Sequence, residues 1–237
     1  MQAFFQKTYT FMYFSLEKFG NLKKKQYLCT RFWKKVQKLS EIWFKMGSNV
    51  WFLLRSRNTL GYGIHSPYLF YIARVILPET AQYYCFSDPQ MVGNTKGWNK
   101  KKNELLFRLV NLVKAETIVE VGTAEMRTAY LQAPNKMARV LTWEAFQVSS
   151  SKFQELGTVD FAVMSAQDGL KTFETLAAHA DEKSLFVVDD IRESKANWNV
   201  WKAVEANGKV TARMDLGKLG LVFFDPHFPK QTFRIRV

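Results

Sequence analysis

The sequence is short of cysteine and of long apolar runs. Its two cysteines, Cys29 and Cys85, belong to no CxxC pair and no Cys/His cluster. This argues against a disulfide scaffold or a zinc site and favours a reducing compartment. No apolar run approaches the roughly 18 residues that span a bilayer, and the nearest, residues 68–77, is interrupted by Arg74. The N-terminus lacks the basic start, apolar middle and cleavage site of a secretory signal. We therefore expect a soluble cytoplasmic protein.

Acidic residues are nearly absent from the first 57 positions. This segment holds 12 Lys and Arg against only Glu17 and Glu41, whereas residues 58–237 hold 22 against 19 acids. The net charge of +13 of the 237-residue chain therefore belongs mainly to an N-terminal extension, residues 1–57, which also carries 14 aromatic residues. Because the rest of the chain has no strong basic surplus, a nucleic-acid partner is not expected.

The extension allows three interpretations. Its apolar residues recur at spacings of three and four with lysines between them: Phe32, Trp33, Val36, Leu39, Trp43, Phe44 and Met46. A basic amphipathic helix of this kind either lies on an anionic membrane surface or packs its aromatic face on the domain. Alternatively, the natural protein begins at Met46, since residues 1–45 are dominated by Phe, Lys, Tyr and Gln and resemble translated upstream sequence.

From residue 58 onward the pattern becomes orderly. The first part, residues 58–114, predicts an apolar helix over residues 68–77, with Ser66 as its N-cap and Pro67 as its first residue. A second helix is predicted over residues 103–114, because its leucines and valines fall on one helical face. These helices would precede the first strand of a sheet.

The remaining core, residues 115–237, alternates strands with helices. Strands are predicted at 117–121, 138–143, 159–164 and 184–189, helices at 126–133, 146–156, 169–180 and 195–207, and a closing hairpin at 210–215 and 219–224. Near-continuous apolar strands separated by helices are typical of a mostly parallel sheet covered on both faces. The three-residue link inside the last pair favours antiparallel pairing. The predicted fold is therefore a Rossmann-like α/β domain that ends in an antiparallel hairpin.

Residues 117–131, TIVEVGTAEMRTAYL, carry most of the functional signal. A β-branched run leads to Glu120, Val121 and Gly122, and a helix-like segment follows at once. A buried strand, a tight glycine turn and a helix with its amides facing the ligand begin a nucleotide-binding βα unit. The second glycine expected in such a turn is missing. The stretch therefore predicts a cofactor site and raises the question of whether this copy still binds the cofactor.

Six motifs occur in an order that is similar to that of a known family. They are GIHSP (63–67), EVGT (120–123), TAYL (128–131), TWE (142–144), FVVDDI (186–191) and GLVFF (220–224). Together they resemble a family of S-adenosylmethionine-dependent methyltransferases common in Bacteroidetes-type bacteria and related to the O-methyltransferases. The resemblance covers about residues 46–237. It implies the class I methyltransferase fold, S-adenosylmethionine as cofactor and a small-molecule methyl acceptor.

The resemblance also implies which residues bind the cofactor. Gly122 and Thr123 form the turn around its amino-acid end, and Glu120 receives its ammonium group. Glu144, at the end of the second predicted strand, accepts the ribose hydroxyls. The structural alternatives are a loop cap for Glu120 and a solvated strand end for Glu144.

Asp189 and Asp190 are the candidate catalytic residues. They end a later predicted strand, at the edge of the sheet where ligands collect in open α/β folds. Acids at this edge hold a divalent metal or the substrate hydroxyl in the related O-methyltransferases. The structural alternative makes Asp190 the N-cap of the next helix and pairs Asp189 with Arg192 or Lys195.

Three departures from the family pattern affect the site. The first loop, GTAEMRT, places Met126 or Arg127 where small residues are expected, and a long side chain there intrudes on the ligand. Only residues 145–158 separate the second strand from the next, too few for the family's helix, third strand and helix, so an edge strand should be absent. The strand over residues 159–164 is followed by Ser and Ala where the family has an acid, so no metal site is predicted.

These departures, beside well-kept strands, predict a methyltransferase-family protein whose activity is lost or weak and which is retained for binding or assembly. A homodimer or another protein partner is expected at the sheet edge that the missing strand exposes, because unpaired strand amides recruit other strands. Two alternatives stay open. One is an active S-adenosylmethionine-dependent O-methyltransferase acting on a small hydroxylated substrate, and the other is a basic, peripheral membrane-associated module carried by residues 1–57.

Overall fold

The computed structural model describes residues 34, 38–50, 52, 56–87, 98–122, 125–151 and 157–236. It divides into two compact units, Met1–Phe44 and Lys45–Val237. In the first unit, residues 38–44 are helical, and the expectations for residues 1–33 and 35–37 lie outside the described residues. The second unit contains the α/β domain, and the domain boundary predicted at residue 57 stays a prediction. None of the described helices is both long and apolar enough to cross a membrane.

Helices and strands alternate through the second unit. The helices are α1 (Pro67–Tyr71, continued by a π-helical turn, Ile72–Ile76), α2 (Trp98–Val113), α3 (Glu125–Gln132), α4 (Trp143–Ser151), α5 (Gly169–Ala178) and α6 (Lys195–Ala206). The strands are β1 (Thr117–Glu120), β2 (Arg139–Thr142), β3 (Phe161–Ser165), β4 (Leu185–Asp189), β5 (Arg213–Asp215), β6 (Gly220–Phe223) and β7 (Thr232–Arg234). Short 3-10 turns lie at Arg57–Leu60, Tyr84–Ser87 and Ala166–Asp168.

Serine N-caps fix where two of the helices begin. The Ser66 hydroxyl accepts a hydrogen bond from the backbone N–H of Leu69 at 3.4 Å, as predicted for α1. The Ser194 hydroxyl accepts one from the N–H of Asn197 at 3.0 Å and caps α6. The alternative role of Asp190 as the N-cap of this helix is therefore wrong, because Ser194 lies closer to the helix start and supplies the capping oxygen.

The seven strands form one sheet in the order β2-β1-β3-β4-β6-β5-β7. Strands β2, β1, β3 and β4 run parallel to one another, whereas β6 is antiparallel to both β4 and β5. The predicted fold class is confirmed: this is a mostly parallel, Rossmann-like α/β sheet, closed by antiparallel strands at its C-terminal end. In open α/β sheets ligands bind beyond the carboxyl ends of the parallel strands, which here are the ends of β1, β3 and β4.

The two edges of the sheet differ. No described strand pairs with the outer side of β2, as the shortened segment after Glu144 predicts. The other edge is β7, which the sequence did not predict and which pairs parallel to β5. Two backbone amides at the β7 edge donate to side chains of the 3-10 turn at Arg57–Leu60. Arg234 N–H donates to the Asn58 side chain at 3.1 Å, and Arg236 N–H donates to the Thr59 hydroxyl at 2.9 Å. Only the β2 edge is therefore left without a described cover.

Apolar residues cover both faces of the sheet, as a parallel sheet requires. Ile118, Phe161 and Leu185 face α1, α2 and α3 on one side, whereas their successors in the strands, such as Val119 and Phe186, face α4, α5 and α6 on the other. This alternation follows from the two-residue period of strand side chains. The scaffold that positions the candidate site is thus fully packed.

Candidate functional site

The candidate site lies where the parallel strands end. Glu120 is the last residue of β1 and Asp189 the last of β4, and β3 between them ends at Ser165, which is in register with Asp189. Parallel strands bring their carboxyl ends to one edge of the sheet. The structure therefore places Glu120 and Asp189 at the same edge, as predicted from the sequence.

Both carboxylate oxygens of Glu120 accept hydrogen bonds from side chains of the same chain. Its side chain is 4% exposed, and its Oε1 accepts a hydrogen bond from Arg127 Nε at 2.5 Å, while its Oε2 accepts one from the Thr128 hydroxyl at 2.5 Å. Both partners lie on α3, within the first turns after the glycine loop. The carboxylate predicted to receive the cofactor's ammonium group thus has a cation and a hydroxyl bound to its two oxygens.

Arg127 also lies over the glycine turn. Gly122 adopts a left-handed φ of +86°, the tight turn that the sequence predicts. The Arg127 Nη2 atom donates to the Val121 carbonyl at 2.8 Å and would lie 3.9 Å from a Cβ on Gly122. Thr123 lies outside the described residues. Of the two long side chains that the sequence places in this loop, Met126 and Arg127, the structure shows that Arg127 turns inward.

Glu144 lies beyond the end of the strand on which the sequence placed it. Strand β2 ends at Thr142, so Glu144 lies in the first turn of α4 and not at the strand end. It is exposed and makes no hydrogen bond or ion pair with any described residue. This placement leaves its carboxylate available to solvent at the β2 edge.

Asp189 is buried, 3% exposed, and ion-paired with Lys102 of α2. The Lys102 ammonium donates to Asp189 Oδ2 at 2.5 Å, and Asp189 Oδ1 accepts the backbone N–H of Asp190 at 2.8 Å. The alternative pairing with Arg192 or Lys195 is wrong. The long helix α2 brings Lys102 over the end of β4, a contact between residues 87 positions apart that no local pattern announces.

Asp190 is the unusual residue of the site. It is a non-glycine residue with a left-handed φ of +58°, a conformation that costs about 1–3 kcal/mol. Its carbonyl accepts a hydrogen bond from Asn197 Nδ2 at 2.9 Å, which holds this turn against α6. Burial and the neighbouring Asp189 carboxylate raise the pKa of Asp190 above its usual range, although Lys102 opposes the shift.

The end of β3 supplies no third ligand. Ser165 and Asp168 form a capping box, in which the Asp168 carboxylate accepts the Ser165 N–H at 2.7 Å and the Ser165 hydroxyl caps the following 3-10 turn. The Asp168 carboxylate is therefore used to accept a backbone hydrogen bond. No group of three or more His, Cys, Asp or Glu side chains that could hold a metal occurs among the described residues.

A fully buried ion pair lies next to Asp190. Arg192 forms a bidentate pair with Asp215 at the end of β5 and donates to the Gly217 carbonyl at 2.7 Å. Its guanidinium lies between the rings of Phe52 and Trp198, 4.8 and 4.6 Å from their centroids. This pair joins the loop after β4 to the turn between β5 and β6. Sequence reasoning named Arg192 only as an alternative partner of Asp189 and missed its pairing with Asp215.

Two comparisons found nothing, and one found structures of similar fold. No family model and no curated protein matches the chain. An O-methyltransferase from Streptomyces achromogenes involved in tomaymycin synthesis, solved with S-adenosylmethionine, is 12% identical over 61% of this chain and 91% of its own, with a TM-score of 0.43. An O-methyltransferase from Bacillus cereus, solved with S-adenosylhomocysteine, is 11% identical over 65% and 95%, with a TM-score of 0.40. These likenesses are too distant to inform on activity, and the fold assignment rests on the sheet order above.

Proposed function

We propose that this chain is an O-methyltransferase-like protein whose S-adenosylmethionine pocket is closed by its own side chains, so that catalysis is lost or weak. The observation that carries the proposal is that Arg127 and Thr128 donate hydrogen bonds to the two carboxylate oxygens of Glu120. Asp189, on the acceptor side of the site, is likewise neutralised by Lys102. Glu120 and Asp189, two of the carboxylates that the family pattern offers to a ligand, are thus each paired with an internal cation.

The cost of opening the pocket can be estimated from the ion pair. A ligand ammonium reaches Glu120 only if the Arg127 guanidinium leaves. The loss of a buried partner, about 3–5 kcal/mol, is the upper bound of this cost, because the ligand then pairs with the same carboxylate. Since every 1.4 kcal/mol corresponds to a factor of ten in affinity, this cost weakens binding by up to roughly two to four orders of magnitude. A cofactor site of micromolar affinity would fall towards millimolar affinity.

Calorimetric titration of the full chain with S-adenosylmethionine and S-adenosylhomocysteine tests the proposal. We expect no binding heat up to about 1 mM cofactor, with circular dichroism showing folded protein. The Arg127→Ala variant should gain affinity, because the ligand ammonium can then replace the guanidinium on Glu120. Arg139→Ala, which removes an exposed arginine of β2, is the matched control. Binding by the unmodified chain at or below about 100 μM would refute the closed pocket.

One observation favours the alternative of an active O-methyltransferase acting on a small hydroxylated substrate. Asp190 combines a strained backbone with a raised pKa at the carboxyl edge, and such residues are enriched at catalytic positions. A carboxylate of raised pKa is a better general base for an acceptor hydroxyl. The same titration separates the two functions, since an active enzyme must bind its methyl donor.

The β2 edge is the surface that we propose for binding or assembly. Its outer side has no described strand neighbour, and its end residues Arg139 and Thr142 are exposed. A partner strand, from a second copy or from another protein, would satisfy the outward amides. Light scattering on the titration samples tests the second-copy version, for which a dimer mass is expected.

A role at a membrane surface is the second candidate, favoured by exposed apolar residues near the N-terminus. Leu39, Ile42 and Trp43 are exposed in the first unit, as are Met46 and Val50 in the second, and Trp43 is 72% exposed. In the sequence they recur at helical spacing within the basic extension, which suits an anionic lipid surface.

Vesicle sedimentation tests this second candidate. The full chain should bind vesicles containing phosphatidylserine, and binding should weaken with salt. The double variant Trp43→Ser/Met46→Ser should lose most of this binding, whereas Tyr84→Ser, which removes an exposed aromatic residue elsewhere, should not. Equal binding to vesicles of phosphatidylcholine alone, or none to either, would contradict a membrane role.

A further inference from the structure

A cavity lies at the amino ends of the parallel strands, at the opposite end of the sheet from Glu120 and Asp189. It has a volume of about 370 Å³, within the range of small-molecule pockets. Leu185, the first residue of β4, and Phe223, the last of the antiparallel β6, lie at its base. Because β4 carries Asp189 at its other end, this cavity is separate from the candidate cofactor site. The closed pocket of the proposed function therefore does not decide whether it binds a ligand.

Three aromatic rings form one wall of the cavity. Phe228 stacks on Tyr68, with ring centroids 5.8 Å apart and an angle of 13°, and meets Phe223 edge to face at 6.0 Å. Phe223 is buried, whereas Tyr68 and Phe228 are partly exposed towards the opening. Burial raises the pKa of the Tyr68 phenol, so this ring stays neutral. The faces of such rings attract cations through their quadrupole.

Two carboxylates stand at the same cavity. Asp225 Oδ1 accepts hydrogen bonds from the backbone N–H and the ring Nδ1 of His227, both at 2.8 Å, and its Oδ2 has no hydrogen-bond partner among the described residues. Glu182 is exposed at the rim and makes no ion pair with a described residue. Lys183, also at the rim, is the single cationic side chain of the lining and is exposed to solvent.

The backbone N–H groups and the hydroxyl at the cavity, which an anion would need as hydrogen-bond donors, already donate to other groups of the protein. The backbone N–H groups of Lys183 and Ser184 donate to Asp181, and that of Leu185 donates to the Asp160 carbonyl. The Ser184 hydroxyl donates to the Val159 carbonyl at 2.7 Å. The cavity therefore offers acceptors and π faces but few free donors, which is the pattern of a cation site.

We propose that this cavity binds a small organic cation, an ammonium group carrying apolar substituents. The aromatic wall of Tyr68, Phe223 and Phe228 takes up the apolar substituents, and the Asp225 carboxylate balances the charge. This site is independent of the methyl-transfer machinery and of S-adenosylmethionine, since it lies beyond the amino ends of the parallel strands.

Choline and its neutral isostere 3,3-dimethyl-1-butanol are the probes for the test, because they share a shape and differ in charge. Saturation-transfer NMR titrations on the full chain should show choline binding with a Kd on the order of 1 mM. The neutral alcohol should bind at least about tenfold more weakly if the charge is recognised. Equal binding of the two, or no saturable choline signal, would overturn the proposal.

Two variants locate the site. Asp225→Asn removes the charge and keeps the shape, and Phe228→Leu removes a ring and keeps apolar volume, so each should weaken choline binding by about tenfold. Glu174→Gln, on the exposed side of α5 across the sheet, should leave it unchanged. Circular dichroism and melting curves show whether each variant is folded. Choline binding that survives both pocket variants in folded protein would place the ligand elsewhere and refute the assignment.

Discussion

Replacing Arg127 by alanine should lower the free energy of unfolding by about 3–5 kcal/mol. The guanidinium is the charge partner of a carboxylate that is only 4% exposed, and its removal leaves Glu120 with the Thr128 hydroxyl alone. An unpaired buried charge is among the few causes of so large an effect from one substitution. Denaturation in urea, followed by circular dichroism, measures the change. An unchanged m-value would show that the shift in midpoint reflects stability.

A double variant separates the effect of the unpaired Glu120 charge on stability from the effect of removing the Arg127 side chain. In Glu120→Gln/Arg127→Ala the carboxylate is replaced by a neutral amide that can still bond Thr128, so most of the loss should be recovered. Arg139→Ala removes an exposed arginine of β2 and should change stability by no more than about 0.5 kcal/mol. A loss below about 1 kcal/mol in Arg127→Ala would mean that the pair contributes little and that Glu120 is open to a ligand.

The scaffold could be predicted because its signals are local. Strands β1, β3 and β4 contain short apolar runs followed by helical segments, and Ser66 and Pro67 mark the start of α1 in the sequence itself. Strand β7 was missed because Thr232–Arg234 is too short for a pattern, and it forms only by pairing with β5. Local periodicity thus predicted the layers of the fold, whereas the last edge depends on tertiary contact.

The site was predicted less well, for a physical reason. The sequence shows which carboxylates end the strands, Glu120 and Asp189, but not which cations reach them. Arg127 was visible as an intruding side chain seven residues after Glu120, although its pairing was not. Lys102 could not be found, because the contact with Asp189 depends on how α2 crosses the end of β4. The pairings decide the chemistry, since they determine whether the acids are free for a ligand.

Replacing Asp215 by asparagine should be as damaging as the loss of Arg127, with an expected cost of about 3–5 kcal/mol. Asp215 is 1% exposed and binds Arg192 through both oxygens, and its Oδ1 also accepts the Gly217 N–H at 3.0 Å. The substitution leaves the Arg192 guanidinium buried between Phe52 and Trp198 without a counter-charge. Urea denaturation measures the loss of stability. The Arg192→Lys variant should also lose stability, because an ammonium cannot form the bidentate contact with Asp215.

The adjacent residue offers a matched comparison for this buried pair. Glu193 forms an ion pair with Lys45 in which both side chains are nearly half exposed, so Glu193→Gln should cost less than about 1 kcal/mol. The two pairs start from neighbouring positions of one loop and differ in burial and in the bidentate geometry of the Arg192 contact. Equal losses in Asp215→Asn and Glu193→Gln would contradict burial as the cause. A large difference would show that the Arg192–Asp215 pair holds the loop that carries Asp190 against the turn between β5 and β6.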